Sequence, residues 1–309
     1  MSGKVNIRMV QVAGQDLRVA MMGPADAERT LLVFNGIGAS VEAVVPFAER
    51  FRRTRIVTFD VPGVGGSPAP RLPYRLSWLS RLAGRLLDKL DIAAVDVFGV
   101  SWGGGLAQQF VHDHPERSRT LTLAATSAGL VMVPGHPRVL SKLATPRRYA
   151  DPDYMLTVGP DIYGGQLRSD RRLLEEHAAA LRTGSSRGYL FQLLAAAGWT
   201  SWLWLPQFKL PVLILMGAHD PIVPEVNGRI LASRLPNARL EVVNCGHLFI
   251  LTHPEETAQT IERFLLETPA TEPAEASNMA SQGPSGMRRD PTAASHGARA
   301  DGGDFPTGT

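Results

Sequence analysis

The most constraining feature of the chain is residues 99–103, Gly-Val-Ser-Trp-Gly, between a predicted strand and a predicted helix. An apolar run, Val95–Phe98, precedes this segment, and a helical stretch, Trp102–Asp113, follows it. The pattern G-x-S-x-G in this setting is typical of a tight strand-to-helix turn that presents a nucleophilic serine. Only small residues fit two positions on either side of that serine. We therefore predict that Ser101 is a nucleophile, with a glycine-rich turn around a bystander serine as the alternative.

Short β-rich runs and helical stretches alternate along most of the chain, and several of the runs are continuously apolar, as buried parallel strands are. The first two runs flank Ala13-Gly14 and predict a hairpin. Together, the alternating strands and helices predict an α/β fold with a mostly parallel twisted sheet flanked by helices. The predicted strands are Val5–Val12, Leu17–Met22, Thr30–Phe34, Arg55–Phe59, Val95–Val100, Thr120–Ala125, Val212–Met216 and Leu240–Val243, with helices near Val41–Phe51 and Ser77–Leu90.

Two regions interrupt this alternation of strands and helices. Residues 129–205 are too long for a single loop in a compact domain, so we expect an inserted, mainly helical cap there. Residues 268–309 are rich in Pro, Ala, Ser, Gly and Thr and contain one aromatic residue, Phe305. Such a segment cannot bury enough apolar surface to offset the entropy of ordering, which predicts a disordered tail. The expected organisation is a hydrolase domain over residues 1–267, followed by the tail.

Composition narrows the class of protein. The net charge is +3, but the basic residues are scattered and match no nucleic-acid motif, so we expect no nucleic-acid partner. No run of 18 apolar residues is present and the first 22 residues lack a signal-peptide pattern, so we expect no transmembrane segment. The single cysteine, Cys245, cannot form an internal disulfide. These features together favour a cytoplasmic location.

A serine hydroxyl needs a base to remove its proton as it attacks. Among the eight histidines, His247 follows a predicted strand and precedes the last predicted helix. Loops at the carboxyl ends of parallel strands form the ligand sites of such sheets, so His247 is the predicted base. His253 and His219 remain the alternatives.

The base in turn needs a carboxylate to hold its tautomer and stabilise its charged form. Asp220 follows the strand Val212–Met216 at the same sheet edge. The resulting chain order, Ser, Asp, His, is that of α/β-hydrolases. A simple turn residue before Pro221 is the alternative interpretation of Asp220.

Acyl transfer also needs N–H donors for the developing oxyanion. We expect the amide of Trp102, directly after the nucleophile, and that of Ile37, in the loop that follows the strand Thr30–Phe34. A plain glycine turn is the alternative for that loop. In the insert, Trp199, Trp202 and Trp204 either line the acyl site or fasten the insert to the core.

These residues resemble the α/β-hydrolase superfamily over Met1–Leu266, and more closely the bacterial intracellular depolymerases of medium-chain-length polyhydroxyalkanoates. Matches inside the insert are the more specific ones, because that region varies most among hydrolases of this fold. The segments that carry the resemblance are residues 31–40 (LLVFNGIGAS), 59–67 (FDVPGVGGS), 99–104 (GVSWGG), 107–110 (AQQF), 131–135 (VMVPG), 146–149 (PRRY), 162–165 (IYGG) and 198–201 (GWTS).

The resemblance implies hydrolysis of ester bonds in a storage polyester of 3-hydroxy acids, by a cytoplasmic enzyme at the surface of polymer granules. It implies the triad Ser101, Asp220 and His247, and no cofactor or metal. The long tail departs from the family pattern, and so does His219, where an acidic residue is expected.

Other hydrolases of the same fold compete with this interpretation. A serine nucleophile argues against dehalogenases and epoxide hydrolases, which use an aspartate. A proline iminopeptidase also has Ser-Trp-Gly at this turn, but it would need acidic residues in the insert, where Glu175 and Glu176 are available. A general carboxylesterase, a cofactor-free perhydrolase and a catalytically silent binding module are further alternatives.

Overall fold

The computed structural model describes residues 5–145, 147, 151–181 and 185–268. They belong to one compact unit, Met1–Pro273. The second unit, Ala274–Thr309, lies outside the described residues, and so does the predicted disordered tail from residue 269 onward.

The centre of the fold is an eight-stranded sheet with the strand order β1-β2-β4-β3-β5-β6-β7-β8. The first two strands form the predicted antiparallel hairpin, and β2 also pairs antiparallel with β4. All other pairs are parallel, from β4–β3 through β7–β8. The strands are β1 Asn6–Val12, β2 Gln15–Met22, β3 Arg29–Phe34, β4 Thr54–Phe59, β5 Val95–Val100, β6 Ser118–Ala124, β7 Val212–Gly217 and β8 Ala238–Val243. The predicted sheet is therefore confirmed, with boundaries shifted by one or two residues.

Helices cover both faces of the sheet and account for its apolar strands. The inner strands β5 and β7 are buried at every residue, because both faces of the sheet pack against helices. One face packs against α2 (Leu76–Lys89) and α3 (Trp102–Asp113), and the other against α1 (Val45–Ala48) and the C-terminal helix α10 (Pro254–Glu267). The helices outside the insert are α1 Val45–Ala48, α2 Leu76–Lys89, α3 Trp102–Asp113, α8 Val226–Arg234, α9 Phe249–Thr252 and α10 Pro254–Glu267.

The predicted helix over Val41–Phe51 is wrong as a single element. The chain instead forms a 3₁₀ turn, Val41–Ala43, followed by the one-turn helix α1. Pro46 accounts for the break, because it has no N–H to donate into the preceding turn and favours the first turn of a new helix. At the start of the segment, the N–H of Val41 donates to Asp60 Oδ1 at 2.7 Å.

The chain between β6 and β7 is mainly helical. Its helices are α4 Pro137–Ala144, α5 Pro152–Tyr163, α6 Arg171–Leu181 and α7 Ser186–Ala196. A separate apolar cluster lies within this insert, formed by α5, α6 and the turn between them. The two ends of the insert meet in an antiparallel bridge between Gly129 and Thr200. Among the described residues, no helix combines the length and the apolar character that crossing a bilayer requires.

Candidate active site

Ser101 occupies a strained turn between β5 and α3. Its backbone has φ 54° and ψ −121°, a conformation that a residue with a side chain adopts at a cost of about 1–3 kcal/mol. Hydrogen bonds hold it there: its N–H donates to Ala124 O at 2.8 Å, and its carbonyl accepts from Thr126 Oγ1 at 2.7 Å. A Cβ at Gly99 would lie 2.4 Å from Gly103 O. The turn therefore has no room for larger residues at these glycines, as the sequence predicts.

Ser101, His247 and Asp220 form one hydrogen-bonded chain. His247 Nε2 lies 3.0 Å from Ser101 Oγ, and Nδ1 lies 2.7 Å from Asp220 Oδ2. His247 is 3% exposed and Asp220 is 7% exposed, so both are shielded from solvent. The three residues follow β5, β8 and β7, whose carboxyl ends meet at one edge of the sheet. The structure thus brings together the three residues that the sequence selected from separate parts of the chain.

Backbone groups fix the acid and the base. Asp220 Oδ1 accepts the N–H groups of Ile222 and Val223 at 2.8 and 2.9 Å, which leaves Oδ2 directed at the imidazole. The N–H of His247 donates to the carbonyl of Tyr163 at 2.8 Å. Tyr163 ends α5, so the insert contributes directly to the position of His247. No sequence signal pointed to this contact.

The two predicted oxyanion segments lie beside Ser101. Trp102 is the first residue of α3, where backbone N–H groups point out of the helix end. The loop after β3 passes close to the nucleophile: a Cβ at Gly36 would lie 3.8 Å from Ser101 Cβ. Ile37 follows in that loop and lines the same cavity as Ser101. The geometry is therefore compatible with the amides of Trp102 and Ile37 as oxyanion donors.

A cavity of about 480 Å³ opens beside Ser101, His247 and the loop after β3. Its volume is within the usual range for sites that enclose small ligands. Most of its lining is apolar, and much of that comes from the insert. The insert residues that line it are Leu140, Leu143, Tyr163, Glu176, His177, Tyr189 and Leu193. His177 lies edge-on to Tyr163, with ring centroids 4.9 Å apart.

A second cavity, of about 340 Å³, also reaches Ser101. It lies on the side of Trp102 and the start of α3, and its lining is again mainly apolar. Leu76, Leu130, Met132, Trp199 and Val223 contribute most of the large side chains. Ser101 is therefore bordered by apolar space in two directions.

The three tryptophans that were predicted to line the substrate site make different contacts. Trp199 lines the second cavity and donates from Nε1 to Gln109 Oε1 at 2.8 Å. Trp204 stacks on His112 with ring centroids 4.4 Å apart, and Arg234 lies 4.5 Å from the ring centre of Trp202. Of the residues that the structure describes, neither Trp202 nor Trp204 lines the cavities at Ser101. The rings of these two fasten the end of the insert to the core, which is the alternative role that the sequence left open.

A charged network borders the larger cavity. Arg18 pairs with both Glu42 and the buried Asp60, and Glu42 lines the cavity. The hydrogen bond from Arg18 is the main reason that the pKa of Glu42 is lowered to about 2. Burial raises the pKa of Asp60, against the opposing hydrogen bonds from the N–H groups of Gly66 and Val41. Asp60 thereby joins β4 to two loops near the cavity mouth.

Burial also raises the pKa of the Cys245 thiol, to about 12, and the nearby Asp220 carboxylate adds to this shift. The thiol is therefore held in its protonated form beside the acid of the triad. Within the described part of the chain, no group of three or more His, Cys, Asp or Glu residues could hold a metal ion.

Residues 29–254 match the family model of the α/β-hydrolase fold. This match covers more than half of the chain, so the protein belongs to the α/β-hydrolase family. The sheet order, the nucleophile turn and the helical insert described above agree with that membership.

Among its relatives, the chain is 49% identical over 259 residues to the poly(3-hydroxyalkanoate) depolymerase of Ectopseudomonas oleovorans. The match covers 84% of this chain and 92% of that protein. The chain is also 25% identical over 271 residues to 3-oxoadipate enol-lactonase 2 of Acinetobacter baylyi, covering 82% of this chain and 95% of that one.

Solved structures are similar in fold at lower identity. The enol-lactonase from Burkholderia xenovorans LB400 has a TM-score of 0.73 at 22% identity, over 84% of this chain and all of that one. A thermophilic esterase from Thermogutta terrifontis has a TM-score of 0.73 at 20% identity, over 85% and 99% of the two chains.

Proposed function

We propose that this protein is a serine hydrolase that cleaves the ester bonds of a poly(3-hydroxyalkanoate), in particular one with medium-length side chains, through an acyl-enzyme on Ser101. The proposed reaction is supported mainly by the hydrogen-bonded chain from Ser101 through His247 to Asp220. The 49% identity to a poly(3-hydroxyalkanoate) depolymerase supports the substrate class.

The geometry supports the following mechanism. Ser101 Oγ attacks the ester carbonyl carbon as its proton passes to His247 Nε2. Asp220 stabilises the imidazolium through Nδ1–H. The oxyanion accepts the N–H groups of Trp102 and Ile37. His247 then gives its proton to the leaving alkoxide, and the acyl-enzyme forms. A water molecule, activated by His247, hydrolyses the acyl-enzyme in the reverse sequence of proton transfers.

The two cavities at Ser101 support a polyester as the substrate. A repeating 3-hydroxyacyl chain carries an alkyl side chain on the acyl side of each ester bond and another on the alcohol side. Apolar space in two directions from Ser101 accommodates both. Each methylene removed from water is worth about 0.8 kcal/mol, so a longer side chain gains several-fold in transition-state binding for each carbon that the cavity encloses.

We further propose that the enzyme works in the cytoplasm at the surface of polymer granules. Helix α7 supports a contact with an apolar surface, because Leu190 and Leu194 are 51% and 47% exposed on it. Leu193, on the same helix, is 37% exposed and lines the larger cavity. The apolar face of α7 is therefore continuous with the lining of the proposed site.

The insert carboxylates that an aminopeptidase could use pair with arginines of their own helix, α6. Recognition of a substrate amine requires a carboxylate that can pair with it. Glu176 pairs with Arg172 at 3.4 Å and Glu175 with Arg171 at 2.9 Å. Glu42 is likewise paired, with Arg18.

The decisive experiment measures kcat/KM on p-nitrophenyl esters of increasing chain length, together with monomer release from two polymers and cleavage of aminoacyl-anilides. We expect kcat/KM to rise from C2 to about C8 and a medium-side-chain polyester to be cleaved in preference to poly(3-hydroxybutyrate). A preference for acetyl esters, with no monomer released from either polymer, would instead identify a hydrolase of small esters. Cleavage of the anilides alone would identify a peptidase.

A further inference from the structure

Gln192, a residue of the insert, contacts both segments of the proposed oxyanion hole. Its side-chain Oε1 accepts the N–H of Gly38 at 2.8 Å, in the loop that contains Ile37. Its backbone carbonyl accepts the indole N–H of Trp102 at 2.8 Å. The residue is 1% exposed. One buried residue therefore connects to the loop after β3 and to the residue that follows the nucleophile.

We propose that Gln192 is a positioning residue for the oxyanion hole: its side chain holds the loop that carries the Ile37 amide, and its carbonyl holds the indole of Trp102. The inference rests on the proposed function, because it assigns Gln192 a role in the hydrolysis described above. Gln192 does not touch the reacting atoms in this role; it acts through the two segments that do.

The bond to Gln192 connects the loop after β3 to a distant part of the chain. Its internal hydrogen bonds are short-range, as in the bonds from Asn35 Nδ2 to Ser40 O at 2.9 Å and from the N–H of Ala39 to Gly36 O at 3.2 Å. They close the loop on itself, and the bond from Gly38 to Gln192 joins it to α7. Gly38 has φ +72° within this turn, a conformation that glycine adopts readily. The hydrogen bond to Gln192 fixes the direction of its N–H.

Helix α7 is docked firmly enough to set that tilt. At its start, Ser185 Oγ donates to Gly63 O at 2.9 Å, and a Cβ at Gly188 would lie 1.8 Å from the same oxygen. Arg187 adds hydrogen bonds to the carbonyls of Pro70 and Arg71 at 3.1 and 2.6 Å. The first turn of α7 is therefore in backbone contact with the hydrolase core, and Gln192 lies within the following two turns.

Oxyanion donors accelerate acyl transfer only when they point at the position that the oxyanion will occupy. A displacement of about 1 Å in such a group can cost about a hundredfold in rate. The substrate carbonyl in its ground state demands much less alignment. Loss of the Gln192 contact should therefore lower kcat with little change in KM, since it weakens an interaction made in the transition state.

The test uses Gln192→Met, which keeps the length of the side chain and removes the acceptor. We expect kcat for a p-nitrophenyl octanoate to fall between about tenfold and a hundredfold, with KM changed by less than about threefold. Ser201→Ala is the matched control. It removes a hydrogen bond of the same kind, from Ser201 Oγ to Gln108 Oε1 at 2.7 Å, between buried residues of the insert and of α3. The control should lower the melting temperature but leave kcat unchanged.

A second measurement is independent of turnover. Octylboronic acid adds to Ser101 Oγ, the serine proton passes to His247, and the tetrahedral boronate places an oxygen among the oxyanion donors. Calorimetric binding of this compound should weaken in Gln192→Met by about the factor lost in kcat, and it should be unaffected in Ser201→Ala. If Gln192→Met does not fold, Gln192→Asn, one methylene too short to reach Gly38, carries the same expectation.

Gln192→Met with unchanged kcat and unchanged boronate affinity, but with a lower melting temperature, would leave Gln192 a purely structural residue and overturn the inference. Failure of the proposed function has a different signature, which is an inactive wild-type protein in the ester series.

Discussion

The sheet side and the insert side of the larger cavity hold their residues by different means. On the sheet side, Ser101 and Asp220 are fixed by hydrogen bonds that involve the backbone of neighbouring strands and loops. On the insert side, the lining side chains come from helices that join the core at a few places, of which the start of α7 is one.

This difference separates two tasks. Groups that carry out proton transfer must stay within tenths of an ångström of their partners, and backbone hydrogen bonds meet that demand. Apolar side chains that surround an alkyl chain need only the right volume and tolerate exchange among similar shapes. We therefore expect substitutions on the sheet side to change the rate of hydrolysis, and substitutions of the apolar side chains that line the insert side to change which esters are hydrolysed.

The strongest test of the sheet side is Ser101→Ala. Loss of the nucleophile should lower kcat by a factor on the order of 10⁴ or more for every ester, whatever its chain length. Circular dichroism and the melting temperature should show that the variant folds. Ser118→Ala serves as the control, because Ser118 Oγ only donates to His114 O at the far end of α3. A folded Ser101→Ala variant with wild-type activity would refute the assigned nucleophile.

The corresponding test of the insert side is Leu143→Trp, which adds a large ring to the larger cavity. Leu143 is held near α7, since its carbonyl accepts from Tyr189 Oη at 2.7 Å. Filling the cavity should lower kcat/KM for C8 esters by about tenfold or more, with C2 esters changed by less than about threefold. Leu203→Trp is the control, because Leu203 is 77% exposed and lines neither cavity at Ser101. Equal losses for both ester lengths would show that the apolar lining at Leu143 also governs the chemistry.

Trp204→Ala examines a part of the insert that the structure places away from the site. The ring packs against His112, Trp199 and Phe208, so its removal should lower the free energy of unfolding by about 2 kcal/mol or more. For a domain of this size that corresponds to a melting temperature lower by roughly 4–8 °C. The ratio of kcat/KM between C8 and C2 esters should stay within about twofold of the wild type. A changed ratio of kcat/KM would instead show that Trp204 contributes to substrate binding.

The smallest effect concerns Glu42, at the boundary between the two sides. Because its pKa is lowered to about 2 in the folded protein, its pairing with Arg18 stabilises the fold above the unfolded pKa and loses this effect as the pH falls toward 2. The side chain is 42% exposed, so the contribution is small. We expect Glu42→Gln to melt about 1–2 °C below the wild type near pH 7 and the difference to shrink near pH 3. A difference that grows in acid would contradict this sign.

The same contrast explains what the sequence could predict. The strands and the triad follow from local rules: continuous apolar runs give buried strands, and Ser101, Asp220 and His247 follow them in an order that one fold uses. Each of these signals lies within a few residues of the position that it identifies. The sheet side of the site could accordingly be assembled residue by residue.

The insert side depends on tertiary packing, which the sequence expresses weakly. Dense aromatic composition indicated that the end of the insert is buried, but it did not say against what, and Trp202 and Trp204 face the core. Leu143 and Tyr189 carry no pattern that separates a cavity wall from a helix core. Gln192 has one faint signal, as a polar residue in the apolar run of residues 189–195, and its two partners lie 154 and 90 positions away.

The bridge between Gly129 and Thr200 has a consequence for how such proteins diversify. Thr200 Oγ1 and the N–H of Ser201 both bind the carbonyl of Ala128, at 2.7 and 3.1 Å, so the chain leaves the sheet and returns to it at a single point. For the strands on either side, the 70 or so residues in between are equivalent to one tight turn. Evolution can therefore lengthen, shorten or exchange that segment without altering the register of β6 and β7. A laboratory graft of a relative's segment between the same two residues would exploit the same freedom.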